Sequence, residues 1–174
     1  MKTEIEKYLP CQEALDFRKQ FKTFEEAWKV CSRGDWMLWI AKKVGVNKRE
    51  LTLAKGYCAN TVIHLMKDKR SRDAVKAAIK YGKGLIEDVE LDDAAADAAA
   101  ADDAAADDAA AYDAYAAAAY AAAADAAAAY DAAAYAAAAY AADDAKKTNQ
   151  LKTAKICRKY LTKSVFELIN TSSK

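Results

Sequence analysis

Apolar side chains recur along most of this chain at the three- and four-residue steps of an amphipathic helix, punctuated by helix start and stop signals. Thr23-Phe24-Glu25-Glu26 has the form of a capping box, in which the Thr hydroxyl accepts from the N3 amide and Glu26 reaches back to the cap amide. It predicts a helix through Ala27, Trp28 and Cys31. Ser32-Arg33-Gly34-Asp35 follows as a turn, with Asp35 as N-cap of a second helix that sets Trp36, Trp39 and Ile40 on one face. Gly45 closes that helix as a left-handed cap. Asn47 and Glu50 open a third over Leu51, Ala54, Cys58, Val62 and Leu65. Ser71 starts a shorter helix through Val75, Ala78 and Ile79, closed by Gly82 and Gly84, and Asp88 caps the segment that enters the middle of the chain. Beyond the middle, Leu151, Ala154, Cys157, Tyr160 and Leu161 mark another amphipathic helix. Ser164 and Glu167 begin a last short one through Phe166 and Ile169.

The middle obeys a different rule. Residues 94–145 comprise 36 Ala, ten Asp and six Tyr, and alanine is the best helix former because it loses no side-chain entropy. The marked positions fall in a register of five: Asp97, Asp102, Asp107 and Tyr112, then Tyr115, Tyr120, Asp125, Tyr130, Tyr135 and Tyr140. Five residues advance about 500°, so each marked side chain lands about 140° from the last and the set wraps around the helix. That drift rules out a coiled-coil seam, which needs seven-residue spacing, and a flat ice-binding face. A five-residue β-solenoid would need large apolar residues inside, where this register offers Asp and Tyr. A long alanine-rich helical arm, folded back as a helical hairpin, is the expectation. As one straight rod the tract would span about 78 Å.

Composition agrees with an all-α, multi-helix bundle, since one Pro and five Gly in 174 residues are too few for a strand-and-turn protein. We expect a single helical domain over 1–174, with N-terminal helices in 1–90, the alanine-rich segment in 91–145 and C-terminal helices in 146–174. A formal net charge of +1 conceals strong segregation. Of the 27 cationic and 26 anionic residues, ten Asp and no Lys, Arg or Glu lie in 94–145, so that tract carries −10 and the remainder +11. The opening MKTEIEKYLP lacks the apolar stretch of a signal peptide, and Asp interrupts the alanine run too often for a membrane span. Four Cys at 11, 31, 58 and 157 show no CxxC spacing and read as reduced thiols. A cytoplasmic protein without membrane attachment is expected.

Candidate chemistry is sparse. His64 is the single histidine and has no ligand-spaced companion, and a zinc site would need the four Cys to converge from distant helices. Gly82-Lys83-Gly84 is only a fragment of a phosphate loop. Adjacent pairs such as Asp102-Asp103 point about 100° apart on a helix and cannot chelate together. These features predict no catalytic residues, no metal and no cofactor. Trp36 and Trp39 are expected in the core, with Trp28 and Asp35 completing a motif that organises the fold.

The run Ala27-Trp28-Lys29-Val30-Cys31-Ser32-Arg33-Gly34-Asp35-Trp36-Met37-Leu38-Trp39 resembles the signature of a family of immunity proteins from bacterial polymorphic toxin systems. Other pieces recur in the same order: Cys11 with Ala14-Leu15, then Gly56-Tyr57-Cys58-Ala59, then Ala78-Ile79-Lys80-Tyr81-Gly82-Lys83-Gly84 before Leu91. The alanine tract and Ile156-Cys157-Arg158-Lys159-Tyr160-Leu161 complete the pattern, so the resemblance covers nearly the whole chain. It implies a mostly helical partner of a toxin without catalytic residues, expected to neutralise it by non-covalent occlusion; the net charge of only +1 predicts no direct nucleic-acid binding. On the charge argument, the partner-binding residues are Asp102, Asp103, Asp107, Asp108, Asp113, Asp125 and Asp131, with Tyr112, Tyr120, Tyr130 and Tyr135. The other reading is a phage- or host-encoded structural or regulatory protein acting on a non-toxin partner.

Overall fold

The computed structural model describes residues 5–66, 68–105 and 143–171. Among them are seven α-helices and no strand: α1 Gln12–Lys19, α2 Phe24–Val30, α3 Gly34–Lys43, α4 Lys48–Asn60, α5 Lys69–Gly82, α6 Asp88–Ala105 and α7 Asp143–Thr171. Short 3-10 turns occupy Glu6–Tyr8 and Ile63–Leu65. The all-α expectation holds. The bend of the expected hairpin lies outside the described residues. No helix among the described residues is long and apolar enough to cross a membrane.

Local signals set most helix ends. Thr23 accepts from the Glu26 amide at 3.1 Å while the Glu26 carboxylate accepts from the Thr23 amide at 3.3 Å, so the capping box is formed as expected. Gly45 has φ +88°, and the Val46 and Gly45 amides return to the Ala41 and Lys42 carbonyls in a Schellman cap. Gly84, at φ +71°, does the same for α5, with Leu85 donating to Lys80 and Gly84 to Tyr81. Asn47 caps α4 by accepting from Arg49 at 2.9 Å.

Five expected boundaries differ. Arg33 is the N-cap of α3, and Asp35 lies inside its first turn. Asp68 caps α5 by accepting from the Arg70 amide at 2.7 Å, which leaves Ser71 buried within the helix. At α6 the Glu87 amide donates to Glu90 at 2.8 Å, so Asp88 is the first helical residue and is free to pair with Lys48. Helix α4 stops at Asn60, and Val62 and Leu65 of its expected stripe fall in the following turn. The two expected C-terminal helices are one, α7, because Leu161, Val165 and Ile169 continue the buried stripe of Ala154 and Cys157 straight through Ser164.

Helix α7 is the central strut. It packs on α3 and α4, touches α2, and supplies fully buried Ala154, Cys157, Leu161 and Val165 to a core shared with Trp28, Met37, Leu38, Leu51 and Cys58. On its other side α4 packs against α5, and α5 against α6. Small residues permit the close approach: a Cβ at Gly34 would overlap Thr153 of α7, and one at Gly82 would sit 2.7 Å from the Leu53 Cα. Arg49 ties α4 to the α5–α6 connection, donating to the Tyr81 and Ile86 carbonyls at 3.0 and 3.2 Å while stacking on the Tyr81 ring.

Candidate functional site

The Arg33–Trp39 motif converges where α1, α2 and α3 meet. Asp35 is 3% exposed, and Arg33 Nε donates to its two carboxylate oxygens at 2.9 and 3.1 Å. A carboxylate in a first helical turn also faces the positive end of the helix dipole. The same guanidinium lies 4.5 Å from the Trp36 ring centroid, so one arginine anchors both the acid and the indole. Asp35 thus pins the entrance of α3 by an ion pair and not by capping it.

The three tryptophans differ in depth. Trp28 is 3% exposed and donates from Nε1 to Thr162 Oγ1 at 2.9 Å, fastening α2 to α7. Trp36 and Trp39 are partly buried and pack against the same core, at the edge of the face on which α3 turns Met37, Leu38, Ile40 and Ala41 inward. The two indoles line an apolar pocket with Phe17, Phe24, Trp28 and Met37, and buried Arg18 closes one part of it. Its free volume is about 50 Å³, a third of the roughly 150 Å³ cavity that admits benzene. That space suits the tip of an aliphatic side chain and is far below the roughly 300 Å³ of an ordinary small-molecule site. Trp36 Nε1 is buried here without an acceptor among the described residues.

Three of the four thiols, separated in sequence, gather beside this motif. Cys31 hydrogen-bonds the Arg33 carbonyl at 3.5 Å, Cys157 the Gly34 carbonyl at 3.5 Å, and Cys58 the Thr153 carbonyl at 3.9 Å. Burial pushes the Cys31 thiol up, and burial with a hydrogen bond to Cys58 pushes Cys157 well up, so both stay protonated and serve as small apolar fillers. Cys11 is exposed. Among the described residues no three His, Cys, Asp or Glu side chains are grouped to hold a metal. His64 is exposed in the 3-10 turn after α4. Gly82-Lys83-Gly84 forms a helix C-terminus, the polarity opposite to that of a phosphate cradle.

Of the partner-binding residues expected in the tract, Asp102 and Asp103 lie on α6. Asp107, Asp108, Tyr112, Asp113, Tyr120, Asp125, Tyr130, Asp131 and Tyr135 fall outside the described residues. Where the segment begins, Leu91 and Ala98 are fully buried against α5 with Ala95 half-buried, while Asp92, Asp93 and Asp97 are exposed. The acidic run therefore starts as an alanine-backed helix with its carboxylates outward. Sequence reasoning missed the Tyr57–Tyr160 stack and the Glu50–Ser164 hydrogen bond, both of which join α4 to α7. Neither has a local signal, since each pair lies about a hundred residues apart.

Comparisons with protein-family models, with curated proteins and with solved structures return no match.

Proposed function

We propose that the chain is a non-catalytic binding module that neutralises a cognate toxin by non-covalent occlusion. The observation that carries this reading is the charge segregation, −10 over residues 94–145 against +11 elsewhere. A toxin that cuts or modifies nucleic acid presents a basic cleft, and a dense carboxylate surface accelerates encounter with it and competes with phosphate. Exposed Asp92, Asp93 and Asp97 on an alanine-backed helix have the geometry such a surface requires. Tyr112, Tyr120, Tyr130 and Tyr135 add amphipathic contact area among the carboxylates. The resemblance to immunity proteins supplies the toxin as the kind of partner.

The test is to recover the partner by pull-down from the native host and to measure its binding across a salt series. Asp102, Asp103, Asp107 and Asp108 replaced together by Asn should slow association at least tenfold at low salt and flatten its salt dependence. Unchanged association and an unchanged salt slope would remove the acidic tract from the interface.

A further inference from the structure

Against the expectation of no nucleic-acid binding, which rested on the whole chain's net charge, we infer that the outer face of α7, with Tyr57 and Lys83 beside it, is a binding surface for single-stranded nucleic acid. Between Ala145 and Phe166 the chain holds seven cations and no Asp or Glu. At about 100° per residue, Lys152, Lys155, Lys159 and Lys163 fall within an arc of about 80°, opposite the buried stripe of Ala154, Cys157, Leu161 and Val165. All four are exposed. They form a row about 16 Å long in which successive ammonium groups stand one helical turn apart.

What separates this row from the surface of the other helices is that four ammonium groups share one helix face in a stretch of sequence without a carboxylate. Several cations elsewhere are matched by nearby acids: Lys48 with Asp88, Arg49 with Glu87, Lys69 and Lys76 with Asp73, Arg70 with Asp68. Among the described residues no carboxylate pairs with any of the four lysines of the α7 row. Like charges at i, i+4 destabilise a helix, and Lys155, Lys159 and Lys163 stand in that relation twice. An external polyanion relieves that repulsion and releases its counterions in doing so.

A second, independent observation selects the polyanion. Tyr160 lies beside the row on α7, and its ring stacks on Tyr57 of α4 with centroids 5.0 Å apart and planes at 8°. Both residues are partly buried. Lys83 stands 5.7 Å from the Tyr57 centroid and Lys159 5.1 Å from that of Tyr160, so cations flank the aromatic pair. The inner faces of the pair are taken up by each other and the outer ones by ammonium groups, so a base stacks by displacing Lys83 or Lys159 from a ring. That cation is left to pair with phosphate, which joins the lysine row to an aromatic platform as single strands require. An acidic peptide would use the lysines and have no need of the rings.

Fluorescence anisotropy of the full chain with a labelled oligo-dT of about 20 nucleotides tests this. Each phosphate neutralised on a single strand contributes about −0.7 to the slope of log K against log salt, so Lys155→Gln, Lys159→Gln and Lys163→Gln together should flatten it by about 2. Affinity at low salt should fall at least tenfold. Tyr160→Leu should weaken binding severalfold and leave the slope unchanged. Circular dichroism checks that each variant is folded, and the triple Gln variant, whose changes are all exposed, is decisive without the tyrosine variant. No oligo-dT binding by the natural chain at about 50 mM salt, or binding untouched by the triple variant, overturns the inference. So does displacement of oligo-dT by poly-glutamate or by vesicles of anionic lipid at equal charge concentration.

Discussion

At the residue scale, burial separates side chains that the sequence makes look alike. Trp28 is enclosed and hydrogen-bonded to Thr162, so Trp28→Ala should cost about 3–5 kcal/mol in chemical denaturation. Trp36→Ala and Trp39→Ala remove partly buried rings at the edge of the core and should cost less in the same measurement. Gly34 is a contact glycine, since any Cβ there meets Thr153 of α7. Gly34→Ala is therefore expected to lower stability by about 1–3 kcal/mol through overpacking, although alanine is the better helix former. Asp73 adds a pH dependence. Its hydrogen bonds to Lys69 and Lys76 hold its pKa at about 2, below the usual carboxylate range. The stability it contributes is thus complete above the unfolded value near 4 and is lost as pH falls from about 4 to about 2. Because the site is exposed, the effect is small and salt-sensitive. Urea midpoints at low and high salt across that window, for the natural chain and Asp73→Asn, should converge at the acid end.

At the element scale, helix starts and stops were readable wherever one residue's own backbone chemistry decides them. Thr23-Glu26, Asn47, Gly45 and Gly84 each act within a few residues of themselves, and each does what its type predicts. Asp35, Ser71 and Ser164 carry the same capping chemistry, yet Arg33 captures the first, burial absorbs the second and Glu50 accepts from the third at 2.7 Å. Arg33 and Asp68 are rivals within three residues of Asp35 and Ser71, whereas Glu50 reaches Ser164 from another helix, where no local pattern shows it. The continuity of α7 can be tested at Ser164. A proline there should cost about 3 kcal/mol or more in a continuous helix, read as a fall in the denaturation midpoint. If a new helix began at this residue, Ser164→Pro would be nearly neutral.

At the scale of the whole molecule, the chain behaves as two electrostatic bodies of opposite sign. The acidic one enters at α6, whose Leu91 and Ala98 rest on α5 and whose Asp92, Asp93 and Asp97 face outward. The basic one is concentrated on α7, where Lys152, Lys155, Lys159 and Lys163 share a face. The two proposals predict separable behaviour in a salt series. Asn substitutions in the tract should weaken protein association and spare oligo-dT binding, while Gln substitutions on α7 should do the reverse. A variant set that moved both together would contradict the division of labour.

What the sequence determined by itself was the all-α class, the helix ends at Thr23, Gly45, Asn47 and Gly84, the buried stripe of Ala154, Cys157 and Leu161, and the separation of charge along the chain. These follow from propensity, capping and three-to-four periodicity, which depend on residues within a turn or two of one another. Tertiary structure alone decided that Trp28 is fully enclosed while Trp36 and Trp39 stay partly exposed, since helix rotation depends on which neighbour arrives. It also decided that three distant thiols meet beside Gly34 and that Tyr57 stacks on Tyr160. Each is a contact between elements far apart in the chain, fixed by how α7 fills the space between α3 and α4.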